Sequence, residues 1–393
     1  MNHKTNLPRT LISLAFIAVG ILLFFIQNFS SNSGAAFGAE LTFAQAALAG
    51  ASGTPNFENA KVESHALSGS LSGEISRWAK STTEPQWLGY AVPVIDSDRV
   101  ICCNNGNWNG DYGCGTCRLE NGQYGFNMSS KNSTKAELEG PRYVVVLFRA
   151  QAGSLGKVRV LSETCTVDAG GLRVTWLTGV EPAKSVEYLT TLVRGQELGD
   201  HNPEKLSQGA LTAIAMHADS AADNALHAFV EPSQPESLRK QTVFWLGEAR
   251  GASGFQTLKR LAKSDTDSEV RAQITFALSI SRESAAVDEM IRMAKDDESS
   301  HVRGQALFWL AHKAGEKAQR TITGAIDDDP DTEVKKKAVF ALSQMPKDEG
   351  VPKLIQVAET NRNREVRKQA MFWLGQSNDP RALAFFEKIL ESK

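Results

Sequence analysis

Five phenylalanines, Phe244, Phe276, Phe308, Phe340 and Phe372, stand 32 residues apart without exception. Leu246, Leu278, Leu310, Leu342 and Leu374 keep the same interval. So does a basic position, Arg239, Arg271, Arg303, Lys335 and Arg367, each preceded by Leu or Val. An interval of that length signals a supersecondary unit that buries its apolar face by stacking on the next copy. Each unit resolves into two helices. In four units the first helix follows a good N-cap residue: Asp267, Ser299, Asp331 or Asn363. The second carries apolar pairs at helical spacing, Leu258/Leu261, Met290/Met293, Leu354/Val357 and Phe386/Ile389. A divergent unit near 203–233 aligns with Leu206 and Ile214 in register and suits a cap.

Two short helices, with Val-Arg early in the first and an Asp in the loop before it, resemble the HEAT-like repeats of bacterial proteins, including those of bilin lyases. The resemblance covers residues 203–393 and implies an all-α HEAT-like solenoid with a divergent cap and five 32-residue units. It also implies a ladder of basic residue and loop acid between repeats, pairing Arg271, Arg303 and Lys335 with Asp265, Asp297 and Asp329; Asn361 breaks the acidic series. The residue after the repeated Phe alternates, Trp245, Ala277, Trp309, Ala341, Trp373, and predicts buried, interdigitated large-against-small packing.

The rest of the chain reads differently. Residues 1–26 combine Lys4 and Arg9 with the uncharged run "LISLAFIAVGILLFFI", the pattern of an export signal or a retained N-terminal membrane anchor. Residues 27–54, rich in Ser, Gly and Ala, read as a flexible linker. Residues 55–200 read as a small α+β domain. A helix is expected over "SGEISRWAK", strands over "QWLGYAVPVI", "RYVVVLFRA" and "KVRVLSETCTV", and a helix over "EPAKSVEYLTTLVRG" with Pro182 in its first turn. The last two strands, joined by a short Gly-rich link, should form a hairpin. The expected fold class is thus multidomain: signal or anchor segment, α+β domain, α-solenoid.

All five cysteines fall in the α+β region: Cys102, Cys103, Cys114, Cys117 and Cys165. An exported protein would form disulfides here, two of them within residues 102–165, with Cys165 bonded to Cys102 or Cys103. Zinc held by Cys114-x-x-Cys117 and two further thiolates is the alternative. A redox Cys-x-x-Cys is a third reading, disfavoured because "CGTCRLENG" looks like a loop rather than a helix start.

Lys+Arg 43 against Asp+Glu 45 gives no excess charge for nucleic acid to read. The seven histidines form no ligand pair at metal spacing. Deoxyhypusine hydroxylase, a HEAT-like enzyme family, holds two irons with His-Glu pairs; this sequence contains no His-Glu dipeptide. "DDDPD" at 327–331 alternates carboxylates, but Ala338 stands where a calcium loop needs its glutamate. No catalytic, cofactor or metal site is expected. The expected function is that of an extracytoplasmic scaffold, periplasmic or secreted and perhaps tethered to the inner membrane, that binds an unknown protein partner. Its concave face would be built from the second helices, with Arg260, Lys263, Arg292 and Lys295 as contact candidates. The alternatives are a HEAT-like enzyme of lyase or hydroxylase type, or a thiol switch in the cysteine domain.

Overall fold

The computed structural model describes residues 53–96, 100–103, 116–120, 126–129, 142–195, 203–313 and 315–391. Residues 1–26 and nearly all of the 27–54 linker lie outside this set. Gly53–Lys393 form one compact unit.

Its N-terminal part is organised by the expected hairpin. Tyr143–Gln151 (β7) pairs antiparallel with Ser154–Ser162 (β8). The turn residues Ala152 and Gly153 both take positive φ, 52° and 80°, the backbone hand that lets a two-residue turn match strand twist. Gln86–Pro93 (β3) adds antiparallel to β7. Arg173–Thr178 (β10) and Lys61–Ala66 (β2) then add in parallel, giving the order β2-β10-β3-β7-β8.

Side-chain alternation splits this sheet into two buried faces. Leu88, Tyr90, Val92, Val144, Val146 and Phe148 face a helical layer. That layer comprises Leu71–Ser81 (α1), Pro182–Val193 (α2) and Pro203–Met216 (α3). Trp87, Val145, Leu147 and Trp176 face the other way, onto Cys117, Leu119, Cys165 and Val167. These belong to a small parallel sheet of Asn56–Glu58 (β1), Thr166–Asp168 (β9) and Cys117–Arg118 (β5), or lie beside it. Val100–Cys103 (β4) and Phe126–Ser129 (β6) form a separate antiparallel pair.

The α-helical part follows without a break in the core, because α3 lies directly on β8. Gly209 permits that contact: a Cβ there would stand 2.6 Å from the Val158 carbonyl oxygen. Ser220–Phe229 (α4) completes the divergent first unit. Four further units are Glu236–Ala249/Gly251–Ser264 (α5/α6), Ser268–Ile280/Ala286–Asp296 (α7/α8), Ser300–Ala311/Glu316–Asp328 (α9/α10) and Thr332–Gln344/Lys347–Thr360 (α11/α12). Arg364–Gln376/Pro380–Glu391 (α13/α14) ends the stack. The repeated leucines from Leu246 to Leu374 are buried in every unit.

The ladder between repeats is present with a different pairing from the one the family resemblance implied. Arg239, Arg271 and Arg303 each reach forward to the acid 26 residues on. Arg239 pairs with Asp265. Arg271 donates from Nε and Nη2 to Asp297 at 2.9 and 3.0 Å, and Arg303 to Asp329 at 2.8 and 3.1 Å. The preceding acid contributes only its backbone carbonyl: Asp265 accepts from Arg271 Nη1 at 2.7 Å and Asp297 from Arg303 Nη1 at 2.9 Å. Lys335 and Arg367 also bond only backbone carbonyls, on Asp327, Asn361 and Arg362. Asp329 and Asp331 are thereby committed, the first to Arg303 and the second to capping the Glu333 amide.

Two expectations are corrected. No helix among the described residues is long and apolar enough to cross a membrane, which conflicts with the inner-membrane anchor and leaves the extracytoplasmic location unsupported. Residues 1–26, which carried that expectation, lie outside the described set. The expected disulfide at Cys165 is not formed either, whereas Cys117 is disulfide-bonded. The fully buried Cys165 thiol donates to the Ile101 carbonyl at 3.2 Å and does not bridge Cys102 or Cys103. The side chains of those two, and Cys114, lie outside the described residues.

Candidate functional site

The two helical layers of the stack pack unequally. The first helices, α5, α7, α9, α11 and α13, run against one another throughout, whereas the second helices meet lightly. Small residues set the close approach: a Cβ on Gly247 in α5 would lie 2.3 Å from the Ala277 carbonyl oxygen in α7. Gly304 in α9 leaves room for the Lys337 stem of α11 in the same way. In a curved stack the closer layer is the inner one. The concave face is therefore lined by the first helices, the reverse of the assignment expected from sequence.

Along that face runs an unbroken series of eight aromatic rings. Trp245 and Phe244 meet edge-on at 4.9 Å, and Phe244 stacks on Phe276 at 6.1 Å. Phe276 meets Trp309 at 4.7 Å, Trp309 meets Phe308 at 4.8 Å, and Phe308 stacks on Phe340 at 5.8 Å. Phe340, Trp373 and Phe372 complete it at 4.8 and 4.9 Å. The alternation of Trp and Ala sets which ring each Phe finds: where the next unit has Ala277 or Ala341, Phe meets Phe, and where it has Trp309 or Trp373, Phe meets Trp.

These rings are not the buried core predicted from the sequence. Trp245 is buried, but Trp309, Trp373 and the four preceding phenylalanines are half-buried, and Phe372 is exposed. Gln241, Gln273, Gln305 and Gln369, also half-buried, precede the phenylalanines by three residues in four of the five units. They lie one helical turn along the same face. At the start of the stripe Gln208, Thr212, Lys240, Gln241, Phe244, Trp245 and Gln273 line a groove of about 420 Å³. Lysines bordering the stripe are held by glutamates on their own helices, Lys240 to Glu236, Lys336 to Glu333 and Lys368 to Glu365. The surface is consequently apolar and amide-rich, with Lys337 taking the fifth glutamine's place in α11.

The residues singled out from sequence lie in the outer layer. Arg260 and Lys263 are exposed on α6, Arg260 at 3.9 Å from Glu231. Lys295 is exposed on α8. Arg292 is half-buried, pairing with Glu289 at 2.6 Å and donating to the Ala262 carbonyl at 3.2 Å, which ties α8 to α6. The signal pointing to the inner face was present in the sequence: glutamine and phenylalanine recur at positions where a purely structural helix could vary.

One buried polar network has a catalytic look. His217 Nδ1 lies 2.6 Å from the Ala213 carbonyl, which can only accept, so Nδ1 carries the proton. Nε2 then accepts from Ser185 Oγ at 2.8 Å, and Ser185 accepts from Tyr90 Oη at 2.6 Å. Burial, with a smaller contribution from the Arg250 charge, pushes the His217 imidazole down to about 4, and burial keeps the Tyr90 phenol protonated. All three side chains are fully buried, and none lines the groove at the start of the stripe. They join β3, α2 and the end of α3, while Arg250 donates to the His217 carbonyl at 2.7 Å and to Asp223 at 3.0 Å. The network fastens the sheet to the stack.

Among the described residues no group of three or more His, Cys, Asp or Glu is placed to hold a metal ion.

Residues 224–311 and 320–393 match the family model for HEAT repeats. The C-terminal part of the chain is a HEAT-repeat α-solenoid, preceded by a small β-rich region. A search of curated proteins finds no match. Among solved structures, the chain is similar to one from the complex of CpcE and CpcF of phycocyanin lyase from Nostoc sp., with 21% identity and a TM-score of 0.31, over 39% of this chain and 99% of that one. It is also similar to human deoxyhypusine hydroxylase in complex with glycerol, with 14% identity and a TM-score of 0.27, over 53% of this chain and 90% of that one. The fold assignment rests on the family model.

Proposed function

We propose that this chain is a binding module whose concave, first-helix surface takes another protein. The observation that carries this reading is the half-buried aromatic series with glutamines in register. Apolar rings with amide groups beside them supply both burial and hydrogen bonding to a polypeptide, the composition that interface cores favour. Repetition every 32 residues lets an elongated partner meet the same chemistry several times. The partner's identity is left to experiment.

The test compares two double variants in affinity capture from the source cells. Gln241→Glu with Gln273→Glu places unpaired charge on the inner face without touching the core. Lys263→Glu with Lys295→Glu does the same on the outer layer. The inner variant should lose the captured protein and the outer variant keep it. Capture that survives the inner variant and fails in the outer one would return the site to the second helices.

A further inference from the structure

The last described unit of the stack carries an apolar outer face rather than a polar one. Four of the five large apolar residues that are exposed among the described residues lie in α13 and α14: Met371, Phe372, Leu383 and Leu390. Their repeat equivalents are informative. Leu390 is 72% exposed, while Ala262, Ala294, Ile326 and Ala358 at the same position are at most 3% exposed. Met371 is 36% exposed, while Val243, Thr275, Leu307 and Val339 are all 0%. Leu383 is 61% exposed against 3% for Val351 one unit earlier. Phe386 is half-buried where Leu258, Met290, Ile322 and Leu354 are buried. In every earlier unit this face is covered by the next helix pair. On α13 and α14 the same apolar face continues with no described helix pair on it, where terminal repeats ordinarily turn polar.

We propose that this end face is a dimer interface covered by the same face of a second copy of the chain, tail to tail about a two-fold axis. The face continues the interface that already joins each repeat to the next, so a pair of helices of the same kind fits it. Head-to-tail stacking cannot supply that pair: the opposite end of the stack is occupied by the sheet, with α3 seated on β8 at Gly209. Only like-to-like contact remains between two copies, and that contact closes on itself rather than growing into a fibre. The rim suits it, since Glu387, Lys388 and Glu391 expose both signs of charge.

Sedimentation equilibrium of the full chain over a wide concentration range tests this. The expected mass is twice 42.7 kDa. Leu383→Glu with Leu390→Glu should weaken association by more than about a hundredfold, because two glutamates per chain would be buried in the contact. Since both leucines are exposed in the single chain, the thermal unfolding of the variant's monomer should match that of the parent monomer. A mass of 42.7 kDa at every concentration overturns the proposal, as the face would then be bare or covered by the chain's own residues. So does a mass that climbs past the dimer, or a dimer that the double variant leaves intact.

Discussion

Replacing Asp297 with alanine isolates the contribution of the arginine ladder. Asp297 accepts two hydrogen bonds from Arg271, at 2.9 and 3.0 Å, and a third from the Ser299 amide at 2.9 Å. Both partners are buried, Arg271 4% and Asp297 7% exposed. These hydrogen bonds hold the Arg271 guanidinium above its ordinary pKa, and even without them an arginine does not escape by losing its proton. Removing the acid leaves a buried cation facing only the exposed Glu298 carboxylate, 3.2 Å from Nη2, which costs about 3–5 kcal/mol. Loss of the bond to the Ser299 amide at the start of α9 adds about 1 kcal/mol. Urea unfolding should thus register about 4–6 kcal/mol for Asp297→Ala, against less than about 0.5 kcal/mol for Glu333→Ala, whose pair with Lys336 is exposed. Adding Arg271→Met to Asp297→Ala should recover much of the loss, because no unpaired charge remains. A single-variant cost below about 1 kcal/mol would refute the reasoning, as would strictly additive losses in the double variant.

Two further effects follow from the packing. His217 binds a proton more readily unfolded, near 6.5, than folded, about 4. Its contribution is therefore complete above pH 6.5 and is lost as pH falls towards 4, by about 3 kcal/mol in all. His217→Gln should flatten that part of a stability–pH profile; an unchanged slope would show that His217 is not its source. Gly247→Ala pushes a methyl into the Ala277 carbonyl and should destabilise by about 1–3 kcal/mol despite better helix propensity. Gly324→Ala in α10 meets nothing within 4 Å and should stabilise by up to about 1 kcal/mol. Equal thermal shifts for the two glycine variants would contradict the close approach of α5 and α7.

The stack was legible because burial must recur when a unit buries itself on its own copy, and the 32-residue interval records that necessity directly. The hairpin and its strand partner were legible for a similar reason, each being dense in β-branched and aromatic side chains. Strand β2 was not: "KVESHA" is exposed at all six positions, so no apolar alternation marks it. The inner and outer layers could not be told apart from helical periodicity, because both are amphipathic. What distinguishes them is backbone approach at Gly247 and the side-chain approach of Lys337 at Gly304. The wrong partner assignment in the ladder has the same origin, since an arginine 6 residues after one acid and 26 before the next satisfies either pairing on paper. Tyr90, Ser185 and His217 carried no sequence signal, as only the folded contact between sheet and stack brings them together.

The central claim is that the first-helix layer is the surface that binds. A photoreactive side chain placed at Gln273 or Gln305, and separately at Lys263 or Lys295, interrogates the two layers in the living source cell. The account predicts a discrete, reproducible protein adduct from Gln273 and Gln305, and none of that mass from Lys263 and Lys295. Adducts confined to Lys263 and Lys295 would contradict it.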